Sequence, residues 1–329
     1  MISALLFGSM AIFMVLGVPV IFAVGMAALA GMVLGTDGMP LVLVPISMFN
    51  GIDSFPMMAV PFFVLAGELM NLGGLSHRLI AISMAVTGSL RGGLGHATVL
   101  ANALMAAISG SALANVAAVG RVLIPSMEKE GYEKDFAASL AISASLLGPI
   151  IPPSITMVIF AVTAGQSVGA LFLAGIVPGL LIILGLMAVV HRRATTRDYP
   201  VGPSFSGRRL FDALRLGLLP LMMPVIILGG IFGGIMTPTE SAAVAVVYAL
   251  IIGMFVYRSF GWRDLGPVFV RTGLVTGFVM LILGGARVFS DVMLAEGVAE
   301  MIARGEFRPL LEWLRAKVHR HGRCRKIIL

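Results

Sequence analysis

Ser109-Gly-Ser-Ala-Leu-Ala-Asn115 interrupts an apolar segment that extends from Arg91 to Glu128. One membrane-spanning helix needs about 20 residues, so this segment is too long for a single span. Its small polar centre predicts two half-length helices that enter and leave the bilayer on the same side. We therefore expect a re-entrant helical hairpin over residues 95–126, open to the cytoplasm.

A second interruption, Gly148-Pro-Ile-Ile-Pro-Pro-Ser154, lies inside the apolar segment 137–163. A proline kink satisfied by neighbouring helices is the simpler explanation, but three prolines within 149–153 exceed what a kink needs. We therefore expect a broken transmembrane helix. Non-helical backbone at membrane depth is tolerated only where it is buried in protein or lines a cavity. Two adjacent broken elements thus indicate a transport site.

The composition is that of a membrane protein. Of 329 residues, 58% are hydrophobic and only 12% are charged, whereas soluble domains carry roughly 25% charged residues. The sequence predicts an all-α polytopic membrane protein. The only cysteine, Cys324, excludes an internal disulfide and a multi-cysteine metal site. No nucleophile–base pair, phosphate loop or carboxylate dyad is recognisable, so we do not expect an enzyme.

Five regions are predicted along the chain. They are scaffold helices with an interfacial arm helix at 1–90, the first half of a transport domain at 91–190, a basic loop at 191–215, second-repeat helices at 216–290 and an amphipathic basic tail at 291–329. The loop carries six Arg against two Asp, so the positive-inside rule places it in the cytoplasm. Most of the net charge of +7 belongs to the tail, which suits anionic lipid and is no argument for nucleic acid.

The two interruptions supply oxygen atoms that suit a hard cation such as Na⁺. Hydroxyl, amide and freed backbone oxygens would bind it without a buried carboxylate, and the expected site residues are Ser109, Gly110, Ser111, Asn115, Gly148, Pro149, Pro152 and Ser154. Substrate is expected in the vicinity of Ser109, Asn115 and Pro153. The alternative for the first group is that small polar residues only hold helices together, which is common in membranes.

Three charged residues lie inside or near apolar segments. Arg121 follows the first interruption, and an intramembrane charge indicates function by default, although snorkelling to the near interface is the alternative. Glu68 and Glu240 lie near the ends of predicted spans. A direct role is the less favoured interpretation for both.

Several motifs resemble the large membrane subunit of TRAP transporters. They are Ser109-Gly-Ser-Ala-Leu-Ala-Asn-Val-Ala-Ala-Val-Gly120, Glu128-Lys-Glu-Gly-Tyr132, Leu147-Gly-Pro-Ile-Ile-Pro-Pro-Ser154, Pro61-Phe-Phe-Val-Leu-Ala-Gly-Glu-Leu-Met70 and Gly233-Gly-Ile-Met-Thr-Pro-Thr-Glu-Ser241. The resemblance implies an elevator-type, Na⁺-coupled importer of organic acids such as C4-dicarboxylates in the bacterial inner membrane. It also implies two partners, a small four-helix membrane subunit and a periplasmic substrate-binding protein.

The resemblance runs from the start of the chain to about Ser290. Members of that family usually continue with a second hairpin and a second broken helix, whereas residues 306–329 are too charged to span a bilayer. We therefore expect a C-terminally truncated chain in which the second half of the inverted repeat is incomplete. Two alternatives remain open: an inactive remnant that serves only in assembly, and a Na⁺/dicarboxylate symporter that needs no binding protein.

Overall fold

The computed structural model describes residues 2–34 and 40–298. Apart from one isolated bridge between Arg91 and Val201, the described residues contain helices, turns and loops and no strand. The prediction of an all-α polytopic membrane protein is confirmed. Within the described residues, five helical segments are long and apolar enough to cross a bilayer: Phe55–Leu72, Val168–Thr196, Gly207–Phe232, Pro238–Val256 and Trp262–Ala295. Most of the predicted basic tail, residues 299–329, lies outside the described residues.

The α-helices are numbered in chain order. They are α1 Ile2–Val15, α2 Val20–Leu34, α3 Leu43–Ile52, α4 Ala59–Leu72, α5 Leu75–Thr87, α6 Gly93–Ser109, α7 Ala112–Asn115, α8 Arg121–Lys129, α9 Lys134–Ser145, α10 Ile155–Thr163, α11 Val168–Thr196, α12 Gly207–Phe232, α13 Pro238–Leu250 and α14 Leu265–Ala295. Two π-helical turns, Val116–Gly120 and Ile251–Val256, follow α7 and α13. Such turns are frequent at functional sites.

The chain divides into two compact units. The first comprises residues up to Asp53 together with those from Phe278 onward. Its helices α1 and α2 are separated at Gly17, whose φ of +79° is readily adopted only by glycine. The core of this unit consists of Leu6, Ala28, Met32, Val288 and Val292.

The second unit, Ser54–Gly277, contains both interrupted elements. In it α4 packs on α13, α5 packs on α6 and α12, and α6 packs on α9 and α11. Helix α13 begins with a capping box in which Thr237 and Glu240 exchange hydrogen bonds, and Pro238 takes the first helical position, where its missing N–H costs nothing. The Met-Thr-Pro-Thr-Glu motif is therefore a helix start.

The predicted basic loop is shorter than 191–215. Helix α11 continues to Thr196 and α12 begins at Gly207. Only residues 197–206 are non-helical, and this corrects the predicted bounds. The physical reason is that long side chains such as Arg have good helix propensity, so a helix continues past the apolar segment that a hydropathy pattern detects.

Candidate ion and substrate site

The tip of the first interrupted element is a tight glycine turn. Helix α6 ends at Ser109, and Gly110 follows with a φ of +58°. Ser111 then adopts an extended conformation and its hydroxyl accepts a hydrogen bond of 3.4 Å from the backbone N–H of Ala114. Glycine permits the left-handed turn, and serine is a preferred cap for the helix that starts after it. The sequence thus reverses the chain within two residues.

A short hydrogen bond connects the two arms at this tip. The hydroxyl of Ser109 donates to Oδ1 of Asn115 at 2.6 Å. Asn115 is fully buried, and its Nδ2 has no hydrogen-bond partner within the described residues. A buried donor without a partner costs about 1–3 kcal/mol. Asn115 is therefore a buried polar side chain whose amide group has unused hydrogen-bonding capacity at the tip.

The second interruption separates α9 from α10. Ser154, which is fully buried, caps α10 by accepting from the backbone N–H of Met157 at 3.4 Å. Its hydroxyl donates to the carbonyl oxygen of Pro149 at 2.7 Å, which closes the break as a compact loop. Pro149, Pro152 and Pro153 have no N–H. The break is therefore rich in acceptors, the atoms that a cation needs.

The tip and the break touch at two glycines. A Cβ added to Gly110 would lie 2.7 Å from the carbonyl oxygen of Pro153, and one added to Gly148 would lie 2.7 Å from the carbonyl carbon of Ser111. Real Cβ atoms do not approach backbone atoms so closely. The structure therefore brings Ser109, Gly110, Ser111 and Asn115 together with the ends of the break. Pro149 joins them through Ser154, and Pro152 is buried within the break.

Helix α4 contributes a residue that the sequence did not single out. A Cβ on Gly67 would lie 3.4 Å from Cα of Ser109. Gly67 also lines a cavity of about 280 Å³, together with Asn71, Ser109, Ser111 and Val275. Only a small residue allows this helix to approach the tip closely. The small size of Gly67 was the signal in the Pro61–Met70 motif that could have indicated this close approach.

The acidic residues near the span ends have partners. Glu240 accepts from the backbone N–H and the hydroxyl of Thr237, at 2.7 and 2.8 Å. The carboxylate of Glu68 lies 3.5 Å from Arg271. Among the described residues, no three His, Cys, Asp or Glu side chains form a cluster that could hold a metal ion. The oxygens at the tip are therefore neutral ones.

Ion pairs and aromatic rings anchor the segments just before α6 and just after α8. The ring of Tyr132, just after α8, stacks on that of Tyr199 with centroids 4.0 Å apart. The Glu133 carboxylate pairs with Arg193 and Arg197, and Arg91 pairs with Asp198 at 3.1 Å. Burial raises the pKa of the Tyr132 phenol to about 12, so its hydroxyl stays neutral at physiological pH. These two segments are held to α11 and the loop after it.

The chain is similar in sequence to known proteins. The family model of the tripartite ATP-independent periplasmic transporter DctM component matches residues 7–306. The chain belongs to this family. It is therefore a multi-pass protein of the bacterial inner membrane and a transporter component, not an enzyme.

Individual members of the family are similar to most of the chain. The C4-dicarboxylate TRAP transporter large permease DctM of Rhodobacter capsulatus is 37% identical over 95% of this chain and 74% of its own length. The sialic acid large permease SiaM of Vibrio cholerae is 39% identical over 87% of this chain and 67% of its own length. For the isethionate permease DctMQ of Oleidesulfovibrio alaskensis the identity is 42%, over 91% of this chain and 47% of that protein.

Proposed function

We propose that this chain is the large membrane subunit of a Na⁺-coupled TRAP transporter that imports organic acids such as C4-dicarboxylates. A periplasmic binding protein delivers the acid, and a small four-helix membrane subunit holds the large subunit in place. The hairpin and the broken helix move together as one body in an elevator motion. The contact of the hairpin tip with the break carries this proposal, since it places neutral oxygens from two unwound segments side by side.

Na⁺ lies, in this proposal, between Ser109, Gly110, Ser111 and Asn115 on one side and the break 148–154 on the other. Its ligands are hydroxyl, amide and backbone oxygens. A neutral amide suits the position because it binds a cation without the cost of burying a carboxylate. A 180° rotation of the Asn115 amide lets Nδ2 donate to the Ser109 hydroxyl and frees Oδ1 for the ion. The rotation also satisfies the amide nitrogen that otherwise has no partner.

The substrate site is proposed to adjoin the ion, near Ser109, Asn115 and Pro153. The cavity of about 280 Å³ borders Ser109, which is enough room for part of a small organic acid. The relatives are named for transporters of a C4-dicarboxylate, sialic acid and isethionate. Each of these is an organic anion, and a shared anionic group is what a conserved mechanism would recognise. The class of substrate is therefore proposed as organic acids.

Reconstitution tests the proposal. The chain is placed in proteoliposomes with the small membrane subunit and the binding protein of a TRAP transporter, under an inward Na⁺ gradient. Uptake of labelled succinate, sialic acid and isethionate is measured, with a K⁺ gradient of equal size as the control. We expect one of these acids to enter only with Na⁺ and only with the binding protein present. Uptake that occurs without Na⁺ and without the binding protein would exclude the proposed coupling to Na⁺ and to the binding protein.

A further inference from the structure

A second, more polar cavity lies beside the tip. Its volume is about 350 Å³, and the polar residues that line it include Glu68, Asn71, His77, Arg121 and Arg271. It shares Glu68, Asn71 and Ala114 with the cavity at the tip, so the two are neighbours. None of the residues expected to bind Na⁺ lines it. The ion site therefore does not account for this cavity.

The cavity carries one uncompensated positive charge when its histidine is neutral. Two arginines, Arg121 and Arg271, and one carboxylate, that of Glu68, line the cavity, which leaves +2 − 1 = +1. Glu68 pairs with Arg271, at 3.5 Å. Within the described residues Arg121 makes neither a hydrogen bond nor an ion pair, although its side chain is exposed to the cavity. Arg121 is thus the available cation.

The position of the cavity along α8 and α14 indicates on which side of the tip it lies. Arg121 lies on α8, between the tip and the hairpin base at Lys129. Arg258 and Arg263 precede α14, and the positive-inside rule assigns that end of the helix to the cytoplasm. Arg271 lies two turns further along α14. The cavity therefore lies on the cytoplasmic side of the hairpin tip.

We propose that Arg121 binds a carboxylate group of the transported acid in this cavity, on the way from the hairpin tip to the cytoplasm. This inference rests on the proposed function for the identity of the ligand and on the cavity for the site. The planar guanidinium offers paired N–H donors that match a carboxylate. Arg121 shares this cavity with polar and charged residues as well as apolar ones, among them a second arginine, so its guanidinium lies where an anion can reach it.

The ion pair between Glu68 and Arg271 determines how selectively the cavity binds the acid and how easily it releases it. Glu68 neutralises one arginine, so a single carboxylate finds one free guanidinium rather than a tight double clamp. Its negative charge also repels an anion that approaches Arg271 directly. A binding site with one free cation binds the acid weakly enough for it to leave, whereas a cavity with two free cations would retain it. Transport requires sites that are favourable to enter but also easy to leave.

The test measures the charge of the cavity and its occupation without relying on transport. In a Cys324→Ser background, Ala117→Cys places a thiol one turn before Arg121, at an exposed position of the cavity wall. The purified chain is modified with an anionic and a cationic methanethiosulfonate reagent. Ala117 and Arg121 line the same cavity, so Arg121→Gln should slow the anionic reagent and speed the cationic one, each by about threefold. Arg121→Lys should keep the preference for the anionic reagent.

Protection by a ligand completes the experiment. Succinate should slow modification of Ala117→Cys when residue 121 is Arg or Lys but not when it is Gln, whereas neutral succinamide should protect in none of them. Gln166→Cys, in the exposed loop before α11, serves as the control whose rates do not respond to residue 121. Unchanged rates on Arg121→Gln, or equal protection by succinamide, overturn the inference. Failed uptake with charge-dependent protection intact counts against the proposed function alone and supports this site.

Discussion

Ser109 and Asn115 lie on either side of the turn at Gly110, and the Ser109 hydroxyl meets Oδ1 of Asn115 at 2.6 Å. Both side chains are buried. The bond closes the tip around Gly110, and the tip in turn rests on the break at Pro153. One pair of polar side chains therefore lies where the two interruptions meet. Four predictions test the arrangement of the residues in this unit.

Asn115→Ala should weaken the response of the protein to Na⁺. The substitution removes the amide that closes the tip and a proposed ligand, and we expect about tenfold weaker Na⁺ affinity, or about 1.4 kcal/mol. A ligand that binds only the native state raises its stability. The measurement is therefore the shift of the thermal unfolding midpoint with NaCl relative to KCl in detergent.

Asn102→Ala is the matched control for that experiment. Asn102 is a fully buried asparagine of α6, the helix that leads to the tip, and its amide donates to the backbone of Thr98 within that helix. Its replacement should lower overall stability without changing the shift that Na⁺ produces. If Asn115→Ala retains the full Na⁺ shift, the ion site lies elsewhere.

Gly148→Ala should destabilise the contact between the break and the tip. The new methyl group would meet the backbone of Ser111, which has no rotamer with which to escape. Forcing extra atoms into a close-packed site costs about 1–3 kcal/mol. Gly185 in α11 has open space around its Cβ direction, so Gly185→Ala should be tolerated. Equal unfolding midpoints for the two variants would show that tip and break do not touch in the membrane.

Cysteine labelling should place both ends of the hairpin on one side of the membrane. In a Cys324→Ser background, Leu90→Cys and Glu130→Cys are exposed positions that flank α6 and α8. Both should react with a membrane-impermeant reagent only from the cytoplasm. Gln166→Cys, beyond the second half of the broken helix, should react only from the periplasm. Reaction of positions 90 and 130 from opposite sides would mean a through-going span.

Tyr199→Ala should lower stability more than Glu133→Gln does. The Tyr199 ring is buried and stacked on Tyr132 at 4.0 Å, and truncation of a buried aromatic residue costs about 3–5 kcal/mol. The Glu133 carboxylate is 42% exposed in its pairs with arginine, so solvent screens it. Thermal unfolding midpoints in detergent compare the two, with Tyr199→Phe as the variant that keeps the ring. A larger effect of Glu133→Gln would show that ion pairs rather than ring packing hold the hairpin base.

Much of the candidate site could be predicted from the sequence, because the residues that indicate it are close together in the chain. A glycine between two serines, or three prolines within 149–153, changes what the backbone can do at that point. The sequence predicted both interruptions for this reason. The exact ends of helices were harder to predict. Helices α11 and α12 both extend beyond their apolar parts, because charged residues with good helix propensity continue a helix.

Pairings between distant residues could not be predicted. Glu68 and Arg271 are far apart in sequence, and neither motif indicates the other. The same holds for Gly67 against Ser109 and for Gly148 against Ser111. Each depends on how helices that are distant in sequence pack against one another, which no local pattern encodes. Arg121 could be recognised as unusual, but only its cavity showed what faces it.

The sequence by itself determined that this is a helical membrane protein with two interrupted elements, because hydrophobicity and backbone freedom are properties of each residue and its neighbours. Only the tertiary structure decided that the two interruptions touch, that Asn115 is buried with an unsatisfied amide, and that Arg121 opens onto a second cavity. The physical reason is that contacts and burial depend on distances between helices, and those distances are set by packing across the whole unit.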